Sequence, residues 1–119
     1  FRGPADSLQI TAYHKKGPES QKGIPAKGMN ISCGGLLLVL AKPVEKREKL
    51  RLEIYLPDPV KKTLSCEAIV LRISPKKDEE RFVAAKFTDV DSEQCDDIMA
   101  FCFAEQRRLL REQVVTRDL

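Results

Sequence analysis

Near the end of the first quarter of the chain stands Asn30-Ile31-Ser32-Cys33-Gly34-Gly35, directly before the apolar run Leu36–Leu40. The chemistry these residues support is recognition rather than bond-making. Asn30 can donate and accept hydrogen bonds at once. Ser32 adds a hydroxyl within reach of the same partner. Gly34 and Gly35 let a ligand approach the backbone and permit positive φ. The same string also describes an ordinary tight turn, with the apolar run anchoring it in a core. Asn30-Ile31-Ser32 is a glycosylation sequon too, but nothing else here indicates secretion.

Little else in the chain offers reactive chemistry. No nucleophile–base pair, carboxylate pair or metal site can be assembled, so an enzyme is not expected. The four cysteines form no CxxC pair and His14 is the single histidine, which argues against zinc. Cys95 and Cys102, seven apart on a helix, sit roughly 10 Å apart along its axis, too far to bridge. All four cysteines therefore read as reduced core-fillers of a cytosolic protein. The net charge of +3, from 21 basic and 18 acidic residues, is too mild for bulk nucleic-acid binding but leaves room for a small anion. No apolar run approaches the ~20 residues of a membrane span, and no signal peptide is visible. A start at Phe1 reads as a fragment.

The elements that must position the turn follow from hydrophobic period. Leu8–His14, Gly28–Ser32, Gly35–Ala41, Leu50–Leu56, Thr63–Ile73 and Arg81–Phe87 read as strands, most clearly the unbroken alternation of Leu50–Leu56. Lys15–Lys27, with its glycines, lysines, Pro18 and Pro25, reads as a long mobile hairpin loop. After Thr88 the period changes. Cys95, Ile98, Met99, Cys102, Phe103, Leu109 and Leu110 fall at helical spacing, with Asp91 and Ser92 as candidate caps. Six short antiparallel strands suggest a closed barrel, because closure removes sticky edges. Arg107, Arg108 and Arg111 read as a solvated helix end complementing the dipole, with a partner surface as the other reading.

Asn30–Gly35 matches [D/N]xSxxG and so resembles a signature of PilZ domains, small bacterial β-barrels of which many bind cyclic di-GMP. The second signature of that family is RxxxR. Arg2 stands 30 − 2 = 28 positions before Asn30, in the place of its second arginine, and the first would fall before Phe1. Leu50–Pro57, Ala68–Arg72 and Arg81–Phe87 resemble further family segments. Ala84 stands where the family's Gly-Val-x-Phe has glycine. Asp97–Phe103 with Gln106 and Arg107 resembles the last helix of the flagellar brake (YcgR-like) type.

The resemblance implies a mainly β fold, a six-stranded antiparallel PilZ-type barrel with a C-terminal α-helix. It implies one domain over 1–119: an N-terminal ligand-binding switch segment (1–7), the barrel (8–89) and the helix (91–113), with an upstream domain removed. It implies a cytoplasmic second-messenger receptor for cyclic di-GMP that regulates flagellar motility or a related output. Arg2, Asn30, Ser32, Gly34 and Gly35 would contact ligand. Arg72 stays open between ligand contact and a solvated strand residue, whereas Lys86 reads as exposed rather than ligand-bound. No cofactor, DNA, RNA or membrane insertion is implied. Flagellar motor proteins are the partners to expect, and the chain would be a monomer or weak dimer. Two rivals remain. One is a ligand-free PilZ-like interaction module. The other is an unrelated barrel binding single-stranded nucleic acid, which the five Phe, two Tyr and absent Trp disfavour.

Overall fold

The structure, a computed structural model, describes residues 3–4, 8–15 and 22–117. Its strands are β1 (Gly3–Pro4), β2 (Gln9–His14), β3 (Ile24–Ser32), β4 (Gly35–Leu40), β5 (Lys49–Leu56), β6 (Lys62–Pro75) and β7 (Arg81–Phe87); α1 (Ser92–Arg117) follows. Every strand pairing is antiparallel. The ring runs β3-β2-β5-β6-β7-β4 and closes through β4 back to β3, a six-stranded barrel. The strand and helix order is that expected from the periodicity.

Alternation explains which side of each strand faces in. In β5, Leu50, Leu52, Ile54 and Leu56 are fully buried while Lys49, Arg51 and Tyr55 are exposed. Together with Leu38, Leu40, Val70 and Val83 they fill the barrel. Each such buried side chain contributes about 1.5–3 kcal/mol relative to exposure.

Several boundaries differ from the sequence reading: β6 runs on through Ser74 and Pro75, and α1 reaches Arg117 rather than 113. Ile24–Lys27 belongs to β3, not to the loop, although the rest of that loop, 16–21, lies outside the described residues. Pro25 and Lys27 hide the strand, but the segment pairs with β2 on one edge (Ala12↔Ile24) and β4 on the other (Ala26↔Leu40). The first segment also contributes a strand. Two-residue β1 lies on β3, with Gly3 opposite Ile31 and Pro4 opposite Asn30.

The helix starts with a reciprocal cap. The Asp91 carboxylate accepts from Gln94 N at 2.8 Å, and Gln94 Oε1 accepts from Asp91 N at 3.2 Å. Ile98, Phe101 and Cys102, spaced as one helix face, are buried against β1, β3 and β5. The Cys102 thiol donates to the Ile31 carbonyl at 3.5 Å. Lys62 at the start of β6 reaches Glu93 and Asp97 at 3.4 and 3.1 Å, fixing the first turns from the other side. Those carboxylates raise the Lys62 pKa, Asp97 foremost.

Candidate functional site

The turn after β3 is shaped by Gly35. A Cβ there would lie 2.2 Å from the Ala85 carbonyl oxygen, so only glycine lets β4 approach β7 so closely. A Cβ at Gly34 would meet only the Ser32 Oγ, at an ordinary 3.9 Å, and neither glycine takes positive φ. Close approach at Gly35, not left-handed backbone, is therefore what glycine supplies here. The turn is tied down where the Phe87 amide donates to the Gly34 carbonyl at 2.9 Å. Ser32 works within it: its Oγ accepts from Gly34 N at 3.3 Å and donates to the Gly35 carbonyl at 3.5 Å, both long bonds.

Two β-bulges decide what reaches the outer face. In β3 the even positions Ile24, Ala26 and Gly28 face inward. Register then shifts between Gly28 and Asn30, so Gly28 lies opposite buried Leu38 but Asn30 opposite outward Leu37. In β6 the even positions Leu64, Cys66, Ala68 and Val70 are buried; a second shift, between Val70 and Arg72, turns Arg72 outward opposite Ala84. Unbroken alternation would have aimed both polar side chains into the barrel. Bulges of this kind re-aim side chains beside functional sites.

With both bulges in place, the registers line up four strands. Asn30, Leu37, Ala84 and Arg72 form one rung, and Ser32, Gly35 and Lys86 the next on the same face. The rung between them, Ile31, Leu36, Ala85 and Val70, is core. A surface cleft of about 520 Å³ follows these rungs, lined by Asn30, Ser32, Gly34, Gly35 and Arg72, with Lys86 and half-exposed Leu71. That volume is within the usual range for small-molecule sites. Two cations and no carboxylate line it. Among the described residues the side chains of Asn30, Arg72 and Lys86 have no hydrogen-bond or ion-pair partner.

Five of the six residues singled out from the sequence thus share one cleft. The sixth, Arg2, lies outside the described residues; its neighbour Gly3 pairs with Ile31. Lys86, read as exposed rather than ligand-bound, is exposed and stands at the cleft. Parity puts it there, because it stands two residues after Ala84 and so shares its face. A second cleft of about 520 Å³ involves Lys15, Glu45, Lys46, Arg47, Glu48 and Lys49. Its two carboxylates stand among four cations, and Glu48 is already engaged by the His14 ring and the Glu45 amide.

The expectation of four reduced cysteines is corrected. Cys33, in the turn itself, forms a disulfide with Cys95 in the first turn of α1, their Cα atoms 5.1 Å apart. Cys66 and Cys102 form no disulfide and are buried, as core-fillers should be. Among the described residues no group of three or more His, Cys, Asp and Glu can hold a metal ion. None of the described helices is long and apolar enough to cross a membrane.

The chain is thus a closed antiparallel β-barrel module with a carboxylate-free cleft on its outer face. Residues 4–104 match the PilZ domain family model, and the chain belongs to that family. No curated protein sequence matches it. Among solved structures it resembles the inhibitor of motility MotI/DgrA of Bacillus subtilis, at 26% identity and TM-score 0.72, over 90% of this chain and 49% of that one. It also resembles the PilZ domain of YcgR from Escherichia coli, solved with c-di-GMP, at 16% identity and TM-score 0.71, over 95% and 94%. MrkH of K. pneumonia in its apo state matches at 16% identity and TM-score 0.73, over 94% and 51%. The chain thus spans about half the length of MotI/DgrA and MrkH.

Proposed function

We propose that this domain is a receptor for cyclic di-GMP, not an enzyme, and that the cleft across β3, β4, β7 and β6 holds the ligand without a cofactor. The observation that carries the reading is the convergence of Asn30, Ser32, Gly35 and Arg72 on one carboxylate-free cleft, with Lys86 beside them. The YcgR PilZ domain, solved with c-di-GMP, has the same fold.

The chemistry fits the ligand. Cyclic di-GMP carries two phosphates and two guanines. The O6 and N7 atoms of a guanine accept together from one arginine fork, a contact that contributes about 1–3 kcal/mol of discrimination. Arg72 is unpaired and can supply that fork, or meet a phosphate bidentately. Lys86 supplies point charge. Asn30 reads a base edge, and the floor of Gly35 and Ala84 lets a flat base lie close to the backbone. Arg2, which precedes Gly3 in the sequence, is a further ligand contact that the family resemblance implies. The resemblance to an inhibitor of motility makes control of motility the output to test, with motor proteins as partners and the cytoplasm as its place.

Calorimetry with cyclic di-GMP tests the reading. Saturable binding is expected, weakened about tenfold or more by Arg72→Ala, the loss of one good bidentate contact. Arg72→Lys should restore only part, because the ammonium keeps charge without the planar fork. Arg2→Ala and Asn30→Ala should weaken binding too. Absence of binding heat would leave a ligand-free interaction module as the better account.

A further inference from the structure

The disulfide joins the two parts of the molecule that the cleft depends on. Cys33 sits between Ser32 and Gly34, which both line the cleft. Cys95 lies one turn into α1, 62 residues away. The helix start is itself fixed to β6, by Lys62 through Glu93 and Asp97 and by Gln94 donating to the Ser65 carbonyl at 3.0 Å. Apart from the covalent bond, the main tie on the turn is the Phe87 amide on the Gly34 carbonyl. Exposure also separates the cysteines. Cys33 and Cys95 are each partly open to solvent, whereas Cys66 and Cys102 are buried.

We infer that Cys33 and Cys95 form a redox-modification site at which thiol–disulfide exchange with a small or protein disulfide sets how firmly the binding turn is held. In the oxidising direction one cysteine thiolate attacks a sulfur of the external disulfide, giving a mixed disulfide and releasing one thiol. The second cysteine then attacks the mixed disulfide, forming the Cys33–Cys95 bond and releasing the other thiol. Two protons and two electrons leave the pair and end on the external disulfide, now two thiols. An external dithiol reverses the sequence. Oxidised, the turn is held to a helix that is itself fixed to β6, so the cleft is preorganised. Reduced, the turn keeps its hydrogen bonds but loses the tie to α1, and binding must order it first.

The test equilibrates the full chain across a series of glutathione to glutathione disulfide ratios. Non-reducing peptide mapping should find a Cys33–Cys95 peptide at the oxidising end and lose it at the reducing end. Iodoacetamide on the reduced, folded protein should label Cys33 and Cys95 and spare Cys66 and Cys102. Exchange of the Gly35 and Phe87 amides should quicken about tenfold on reduction, as a loosened local unit does. Cys95→Ser, outside the cleft, should show the reduced-state exchange at every ratio. The affinity arm alone rests on the function proposed above: cyclic di-GMP should bind about tenfold more weakly to reduced protein. If neither form binds it, that reading fails while amide exchange still decides this one. Failure to form the Cys33–Cys95 link at any ratio, or equal exchange in both forms, overturns the inference, as does equal ligand affinity where binding occurs.

Discussion

Single residues carry this molecule's chemistry, and they were unevenly legible. Asn30, Ser32, Gly35 and Arg72 stood out through a short motif and a family pattern, and the registers do gather them. Gly35 was half read: close approach holds and positive φ does not, and the approach is to the Ala85 carbonyl, a neighbour 50 positions on that no local pattern reveals. Cys33 and Cys95 were missed for a similar cause. Spacing can exclude a bridge within one helix, but it cannot show that a turn and a helix start meet in space. Cys66 behaves as read, a small apolar filler. Burial, and then the nearby Asp89 charge, push its thiol up to about 12. The unfolded chain ionises that thiol near pH 8.5–9 while the folded chain keeps it protonated, so its contribution to stability is complete below that range and is lost as pH rises toward 12. Urea unfolding of the wild type should therefore lose stability more steeply than Cys66→Ala between pH 9 and 11, by at most about 1.4 kcal/mol per pH unit. Parallel slopes would show that the thiol is not withheld from ionisation.

At the scale of elements, patterns were readable where period and caps agreed. The helix after Asp91 combines three-and-four spacing of its buried face with a recognisable cap, and Asp91 rather than Ser92 proves to be the capping residue. Asp91→Ala should destabilise the domain by about 0.5–2 kcal/mol, the usual cost of losing an N-cap. A shift in urea midpoint at unchanged slope would show it, and an unchanged midpoint would mean the helix start is held by Lys62 and the disulfide alone. Where composition and pairing disagree, the reading fails. Ile24–Lys27 looks like loop because of its Pro and Lys, yet both edges are taken by neighbouring strands. β1 was invisible because a two-residue strand has no period to detect.

For the whole molecule, closure was anticipated from the cost of free edges, and the ring of six strands meets it. The interior depends on that closure, with Leu52 wholly buried on one rung between Ala12 and Cys66. Leu52→Ala should cost about 2–5 kcal/mol in denaturant unfolding, the range for an incompletely refilled cavity. A cost near zero would mean the barrel interior is loosely filled. What could not be foreseen was the pair of bulges, because neither leaves a trace in residue type. They nonetheless carry a lesson for comparing relatives. A strand already holding one surplus residue can lose it and still keep Asn30 across from Leu37, or Arg72 across from Ala84. A gap at position 29 or 71 in some cousin of this chain is therefore no sign of a broken pocket; it marks a straighter ribbon delivering the same two hands to the same place.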